Sequence, residues 1–180
     1  MIWIEGLLFK LRQMNITGNL YHFIKNFLTN RQIKVKIGND LSHEYTLENG
    51  TPQGSVISPL LFIIMLNDFP TIKDADVDTS LYADDSAVWK NGRNINLLYK
   101  HMQSALDNIT KYTEAWGIKI NRKKTVHMLI THKRATYTSN LYIHKQRIER
   151  VNSYKFLGLY FDTHLSWTTS TTSISNAKEL

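Results

Sequence analysis

Apolar residues at Ile4, Leu7, Leu8 and Leu11 recur at helical spacing, which predicts a helix over residues 4–14 with Gly18 as its stop. A second helix is expected over 19–28. The period then shortens. Gln32-Ile33-Lys34-Val35-Lys36-Ile37 alternates polar and apolar as a half-buried strand does, and Gly38-Asn39-Asp40 turns the chain toward a partner near residues 44–47. Turn signals at Asn49-Gly50 and Pro52-Gln53-Gly54 precede the most apolar run, residues 56–66, which reads as a buried helix because a proline such as Pro59 is tolerated in a first turn. Residues 78–82 and 86–89 are short strand candidates. Leu97, Leu98, Met102, Ala105, Leu106, Ile109 and Tyr112 keep helical period through the longest helix, with Gly117 as its terminator. Further short strands are expected within 126–130, 141–143 and 156–161, and residues 167–180 are rich in Ser and Thr without a clear period. This order predicts an α+β fold, a sheet with helices on one face, in a single domain.

Composition narrows the chemistry. The 180 residues contain no cysteine, so no disulfide framework or thiolate metal site is available, and any metal would be held by oxygen or histidine. The run 56–66 falls well short of the roughly 20 residues needed to cross a bilayer, and the first residues lack the pattern of a secretory signal, so an intracellular protein without a membrane span is expected. The net charge of +7 is unevenly spread. From Gly117 to Arg150, nine basic residues (Lys119, Arg122, Lys123, Lys124, Lys133, Arg134, Lys145, Arg147 and Arg150) face the single acid Glu149, a local charge of +8. Asp68, Asp74, Asp76, Asp78, Asp84 and Asp85 instead meet only Lys73 within their own stretch. An acidic centre beside a basic arm suits a metal-dependent enzyme acting on a polyanion, and also an ordinary solvated surface of patchy charge.

Asp84 and Asp85 stand between two strand candidates, where Asp serves as a turn former in its own right. The flanking residues open a second reading. Leu81, Ala83, Ala87 and Val88 would pack the hairpin on a core and leave the two acids at its tip, within reach of hydrated Mg²⁺. Mg²⁺ takes about six oxygen ligands and keeps several waters, so one or two carboxylates plus substrate phosphates suffice. Two such ions about 4 Å apart serve nucleotidyl transfer.

Four motifs in order then carry a resemblance: Thr51-Pro52-Gln53-Gly54-Ser55-Val56-Ile57-Ser58-Pro59-Leu60-Leu61-Phe62; Leu81-Tyr82-Ala83-Asp84-Asp85; Trp116-Gly117-Ile118-Lys119-Ile120-Asn121-Arg122-Lys123-Lys124-Thr125; and Phe156-Leu157-Gly158 followed by Asp162 and Leu165-Ser166-Trp167. Together they resemble the reverse transcriptases of non-LTR retrotransposons, nearest to the jockey-like elements, over almost the whole chain.

The resemblance implies a polymerase palm over residues 1–163, with 164–180 the start of a thumb or a disordered tail. It implies RNA-directed DNA polymerisation with two Mg²⁺ ions, Mn²⁺ being an alternative, on Asp84 and Asp85. Pro52, Gln53, Gly54, Ser55 and Tyr82 would meet nucleotide and template, Lys124 would act on the triphosphate, and Phe156, Leu157 and Gly158 would hold the primer end. The partners implied are an RNA template, a DNA primer and dNTPs. By register with Ile2-Trp3 and Gly6-Leu7-Leu8, the family's first catalytic aspartate is expected just upstream of Met1, and the isolated chain is then expected not to polymerise. The competing reading is a catalytically dead remnant that keeps nucleic-acid affinity through its basic arm.

Overall fold

A computed structural model describes residues 2–70, 77–132 and 139–166. Helix α1 (Ile4–Gln13) stops before the expected Gly18, because Asn15 takes the left-handed residue's place at φ 60°. The amides of Asn15 and Ile16 return to the carbonyls of Arg12 and Leu11, satisfying acceptors that the last turn would leave orphaned. Gly18 opens α2 (Gly18–Leu28) instead. The expected strand over 32–37 divides into β1 (Arg31–Ile33) and β2 (Lys36–Ile37); β2 turns into β3 (Asp40–Leu41), and β1 pairs antiparallel with β4 (Tyr45–Leu47). It is not half-buried. Ile33, Val35 and Ile37 are all exposed, since the ribbon makes no substantial packing contact with another described element.

Pro59 sits in the first turn of α3 (Ser58–Leu66), where its missing N–H costs no helical hydrogen bond. Only one side of α3 is buried: Leu61 and Met65 meet α1, whereas Leu60 and Ile63 are exposed, so the expected buried helix is buried on one face alone. A hairpin follows, β5 (Asp78–Tyr82) with β6 (Asp85–Trp89), and then α4 (Ile95–Ala115), whose N-cap Asn94 accepts from the Leu97 amide. Gly117 terminates α4 as expected, at φ 63°, with the Ile118 amide returning to the Thr113 carbonyl.

Of the strand expected at 126–130 only β7 (Val126–His127) forms, and it pairs parallel with β10 (Glu149–Arg150). A small hairpin of β8 (Tyr142–Ile143) and β9 (Gln146–Arg147) lies between them in sequence. The candidate at 156–161 resolves into two strands, β11 (Ser153–Phe156) and β12 (Leu159–Asp162), with Leu157 and Gly158 as the turn. The fold is therefore α+β, but among the described residues the strands form six two-stranded ladders rather than one continuous sheet. No described helix is long and apolar enough to cross a membrane.

Three apolar clusters hold these parts. Leu7, Leu11, Leu28, Leu61 and Met65 join α1, α2 and α3, each worth about 1.5–3 kcal/mol of burial. Phe69, Val77, Ala105 and Ile109, with Val88 against them, seat the β5–β6 hairpin on α4. Leu106, Leu141, Ile143 and Ile148 dock the following arm on the neighbouring stripe of α4.

Candidate nucleotidyl-transfer site

The register of β5 and β6 pairs Tyr82 with Asp85 and leaves Ala83 and Asp84 as a two-residue turn. Ala83 adopts φ 50°, a conformation that most L-residues avoid. Asp84 and Asp85 are exposed, and neither carboxylate makes a hydrogen bond or ion pair with a described residue. The hairpin is held less broadly than its sequence suggested. Val88 packs on the core, but Leu81 is exposed and Ala83 is at the tip, so the apolar side of the ribbon is only partly used. Tyr82 is also exposed.

The loop carrying Pro52, Gln53, Gly54 and Ser55 is closed from its far end. Ser58, a buried hydroxyl, donates to the Pro52 carbonyl at 2.7 Å, and the Ser55 hydroxyl accepts from the Ile57 amide at 3.3 Å. Gly54 has φ 80°, and a Cβ there would meet no protein atom within 4 Å. Glycine is needed for the dihedral, and the space before it is open to a ligand.

Lys124 lies in a turn closed by the Lys124 and Thr125 amides on the Asn121 carbonyl, both at 3.1 Å. Its ammonium is exposed and touches no described acceptor; its carbonyl accepts from the Tyr154 hydroxyl at 3.4 Å, tying this turn to the β11–β12 hairpin. At the tip of that hairpin Leu157 and Gly158 have φ 48° and 87°, the pair of positive values of a tight hairpin turn, and Leu157 is left exposed. Asp162 caps the next turn, accepting from the His164 amide and the Ser166 amide and hydroxyl. The Ser166 hydroxyl, then these amides, hold its carboxyl below the usual range.

The structure thus joins Lys124 to the primer-hairpin candidates. No hydrogen bond or ion pair among the described residues joins Asp84 or Asp85 to Lys124 or to residues 52–55, and no group of three metal-ligating side chains occurs among them.

In the basic arm, Lys119, Arg122, Lys123, Lys124, Lys145 and Arg147 are exposed, and Arg122 reaches across to the Gln146 side chain at 2.5 Å. His127, set edge-on to Tyr99, lies below its ordinary value because of burial and then the Arg150 charge, which outweigh the opposing pull of the main chain at Glu149. Asp74 and Asp76 of the expected acidic centre, its Lys73, Lys133 and Arg134 of the arm, and Trp167 with the rest of the expected thumb start lie outside the described residues.

One acid of the expected centre has a different place. Asp68 is paired with Lys10 of α1, and its Oδ1 also accepts from the Tyr112 hydroxyl at 2.8 Å. The Lys10 ammonium is buried. It donates to the Met65 carbonyl at 2.5 Å and the Tyr112 hydroxyl at 3.0 Å, and lies 3.9 Å from the centroid of the Trp116 ring. Burial would raise the Asp68 carboxyl, but the hydrogen bonds from Lys10 and Tyr112 and the Lys10 charge prevail, and it lies below its ordinary value. Burial lowers Lys10 in spite of Asp68, and burial with the Asp68 charge raises Tyr112. Asp68 thus finds its cation outside its own stretch of sequence, and the separation of 58 residues between Lys10 and Asp68 hides their pairing from any local pattern.

A sequence profile of the family described as "Reverse transcriptase (RNA-dependent DNA polymerase)" matches residues 1–161. This chain belongs to the reverse transcriptase family. Reverse transcriptases act on nucleic-acid templates and generally use divalent metal ions. Among the relatives, the RNA-directed DNA polymerase from mobile element jockey of Drosophila melanogaster is 28% identical over 182 residues, covering 98% of this chain and 20% of that protein. The probable RNA-directed DNA polymerase from transposon X-element of the same fly is 28% identical over 181 residues, covering 96% of this chain and 19% of that protein. A Pol polyprotein from a type-1 retrotransposable element R1 of Nasonia vitripennis is 27% identical over 119 residues, with coverages of 61% and 28%. The chain spans about a fifth of the length of the jockey and X-element relatives.

Proposed function

We propose that this stretch of reverse transcriptase is the part of a palm that bears two metal-binding carboxylates, a nucleotide loop and a primer hairpin, and that it serves RNA-directed DNA synthesis for a mobile element. The observation that carries the reading is the state of Asp84 and Asp85: two exposed carboxylates without partners among the described residues, one in the turn of a short hairpin and one just after it, the hairpin being seated on α4 by Val88. Carboxylates meant only to close a turn would be spent on backbone amides, as Asp162 is. Unspent oxygens at a water-accessible tip fit a hard cation such as Mg²⁺ or Mn²⁺. When bound, a pair of such ions supplies activation of the primer 3′ hydroxyl and neutralisation of the departing pyrophosphate.

The chain's own residues supply the rest. Gln53 offers an amide to template or nucleotide, and the open space before Gly54 admits a sugar or base pair, with Pro52 and Ser55 beside them in the loop and Tyr82 contributing from the β5–β6 hairpin. Lys124, an exposed ammonium, neutralises triphosphate charge or delivers a proton to pyrophosphate. Phe156, Leu157 and Gly158 hold the primer end by packing and backbone contact. Lys119, Arg122, Lys123, Lys145 and Arg147 meet phosphates without reading sequence, as copying an arbitrary RNA requires.

The test is a Mn²⁺ titration followed by electron paramagnetic resonance, paired with primer extension on an RNA template with all four dNTPs. Bound Mn²⁺ should fall in D84N and again in D84N/D85N; binding indifferent to both substitutions would refute the reading. The expectation that the chain alone does not extend a primer fails if it incorporates nucleotides and D84N abolishes that. The exposed basic arm favours one second reading, a nucleic-acid-binding remnant. Salt-sensitive hybrid binding without Asp84-dependent metal binding would select it.

A further inference from the structure

We infer that Arg31 is a positioning residue for the nucleotide loop: its guanidinium fixes where residues 51–55 leave the body of the protein, and so where Gln53 and Gly54 are presented. The geometry stands by itself, and its functional consequence rests on the reading above.

Arg31 opens β1, directly opposite Leu47 at the end of β4. From there its planar fork reaches three main-chain carbonyls. Nε donates to Leu28 at 3.0 Å, and Nη2 donates to Asn49 at 3.2 Å and to Gly50 at 2.6 Å. The Leu28 carbonyl belongs to the last turn of α2, where acceptors lack helical partners and a cation is favourable. The other two belong to the corner just before Thr51. That corner is also tied to the start of α1, for the Gly50 amide donates to the Ile2 carbonyl at 2.8 Å and the Asn49 side chain accepts from the Ile4 amide at 3.4 Å.

Gly50 turns the chain at φ 85°, and on the far side of the loop the Ser58 hydroxyl holds the Pro52 carbonyl. The segment is thus gripped at both ends, and Gln53 and Gly54 are its exposed middle. The grip depends on shape as well as charge. A guanidinium presents several donors in one plane, whereas an ammonium is a compact point that does not span the α2 terminus and two successive carbonyls together.

The test compares R31M, R31K and K34M in the 180-residue chain, K34M removing the same charge from an exposed neighbouring position. Hydrogen exchange of the Gly50 and Ser55 amides, which donate to the Ile2 and Pro52 carbonyls, should rise about tenfold in both Arg31 variants, with α4 and K34M unchanged. Affinity for a labelled RNA/DNA hybrid with a recessed 3′ end should fall several-fold in parallel. Wild-type exchange in R31K would show that charge alone is required, and would overturn the inference. A rise spread equally over α1, α2 and α4 would also overturn it, since Arg31 would then serve general stability. So would a mobile loop with undiminished affinity. If the wild-type chain binds no hybrid, the functional reading of the site falls, while the clamp is still decided by the exchange of the Gly50 and Ser55 amides.

Discussion

Asp68 and the Asp84-Asp85 pair are equally acidic in sequence and opposite in circumstance. Asp68 is engaged on every side that matters, by the buried Lys10 ammonium and by the Tyr112 hydroxyl, in a knot joining α1, α3 and α4. Asp84 and Asp85 are engaged by nothing among the described residues. The protein has used one carboxylate to make a single arrangement of its helices and has left two unspent at a hairpin tip. An acid that supports the fold is surrounded by donors belonging to the chain; the two at the tip are not, which is what the proposed cation-binding role requires.

The strongest way to break this contrast is to remove each carboxylate and measure unfolding in urea. Asp68→Ala strands a buried ammonium and should cost about 2–3 kcal/mol, less than a fully buried pair because Asp68 itself is half exposed and Met65, Tyr112 and Trp116 still face the charge. Lys10→Met should cost less, since the remaining carboxylate can take up water. An equal or reversed order would show that the ammonium is not the demanding partner.

Acid sharpens the same contrast. The folded Asp68 carboxyl lies below its ordinary value, so the unfolded chain takes up the proton first as pH falls. The stabilisation is complete above the ordinary carboxylate range near pH 4 and is lost as pH drops through the folded pKa, so that D68N should show a flatter acid limb than the parent.

Leu157→Gly should stabilise the β11–β12 hairpin by about 0.5–1 kcal/mol through relief of the left-handed backbone, yet weaken hybrid binding if the side chain meets the primer. The smallest change is expected at the tip: D84N and D85N should leave stability within about 0.5 kcal/mol while reducing bound Mn²⁺. A large loss of stability there would mean that these acids, too, are structural.

The sequence made the site's local parts readable, because turns and caps are short-range chemistry. The Asp84 turn, the Gly117 helix stop and the tight turn before the long apolar run all follow from neighbours a few positions apart. What escaped is long-range or depends on exposure. Nothing near Lys10 marks it as buried against Asp68 and Tyr112, and Arg31 reads as an ordinary surface cation until Asn49 and Gly50 are brought beside it. Alternation at 32–37 signals a strand but not whether anything covers it, and Ile33, Val35 and Ile37 lack the cover that a half-buried strand has. Asn15 displaced Gly18 as a helix terminator because Asn also tolerates a positive φ, a substitution that the pattern of glycines does not reveal.

The Lys10–Asp68 pair also bears on how copies of this chain diverge. A lineage that loses one member carries an uncompensated charge, whereas one that replaces both with apolar groups of similar volume recovers much of what either single change removes. The two positions, 58 residues apart, are therefore expected to be retained together or lost together, and to descend through related copies as a single inherited character.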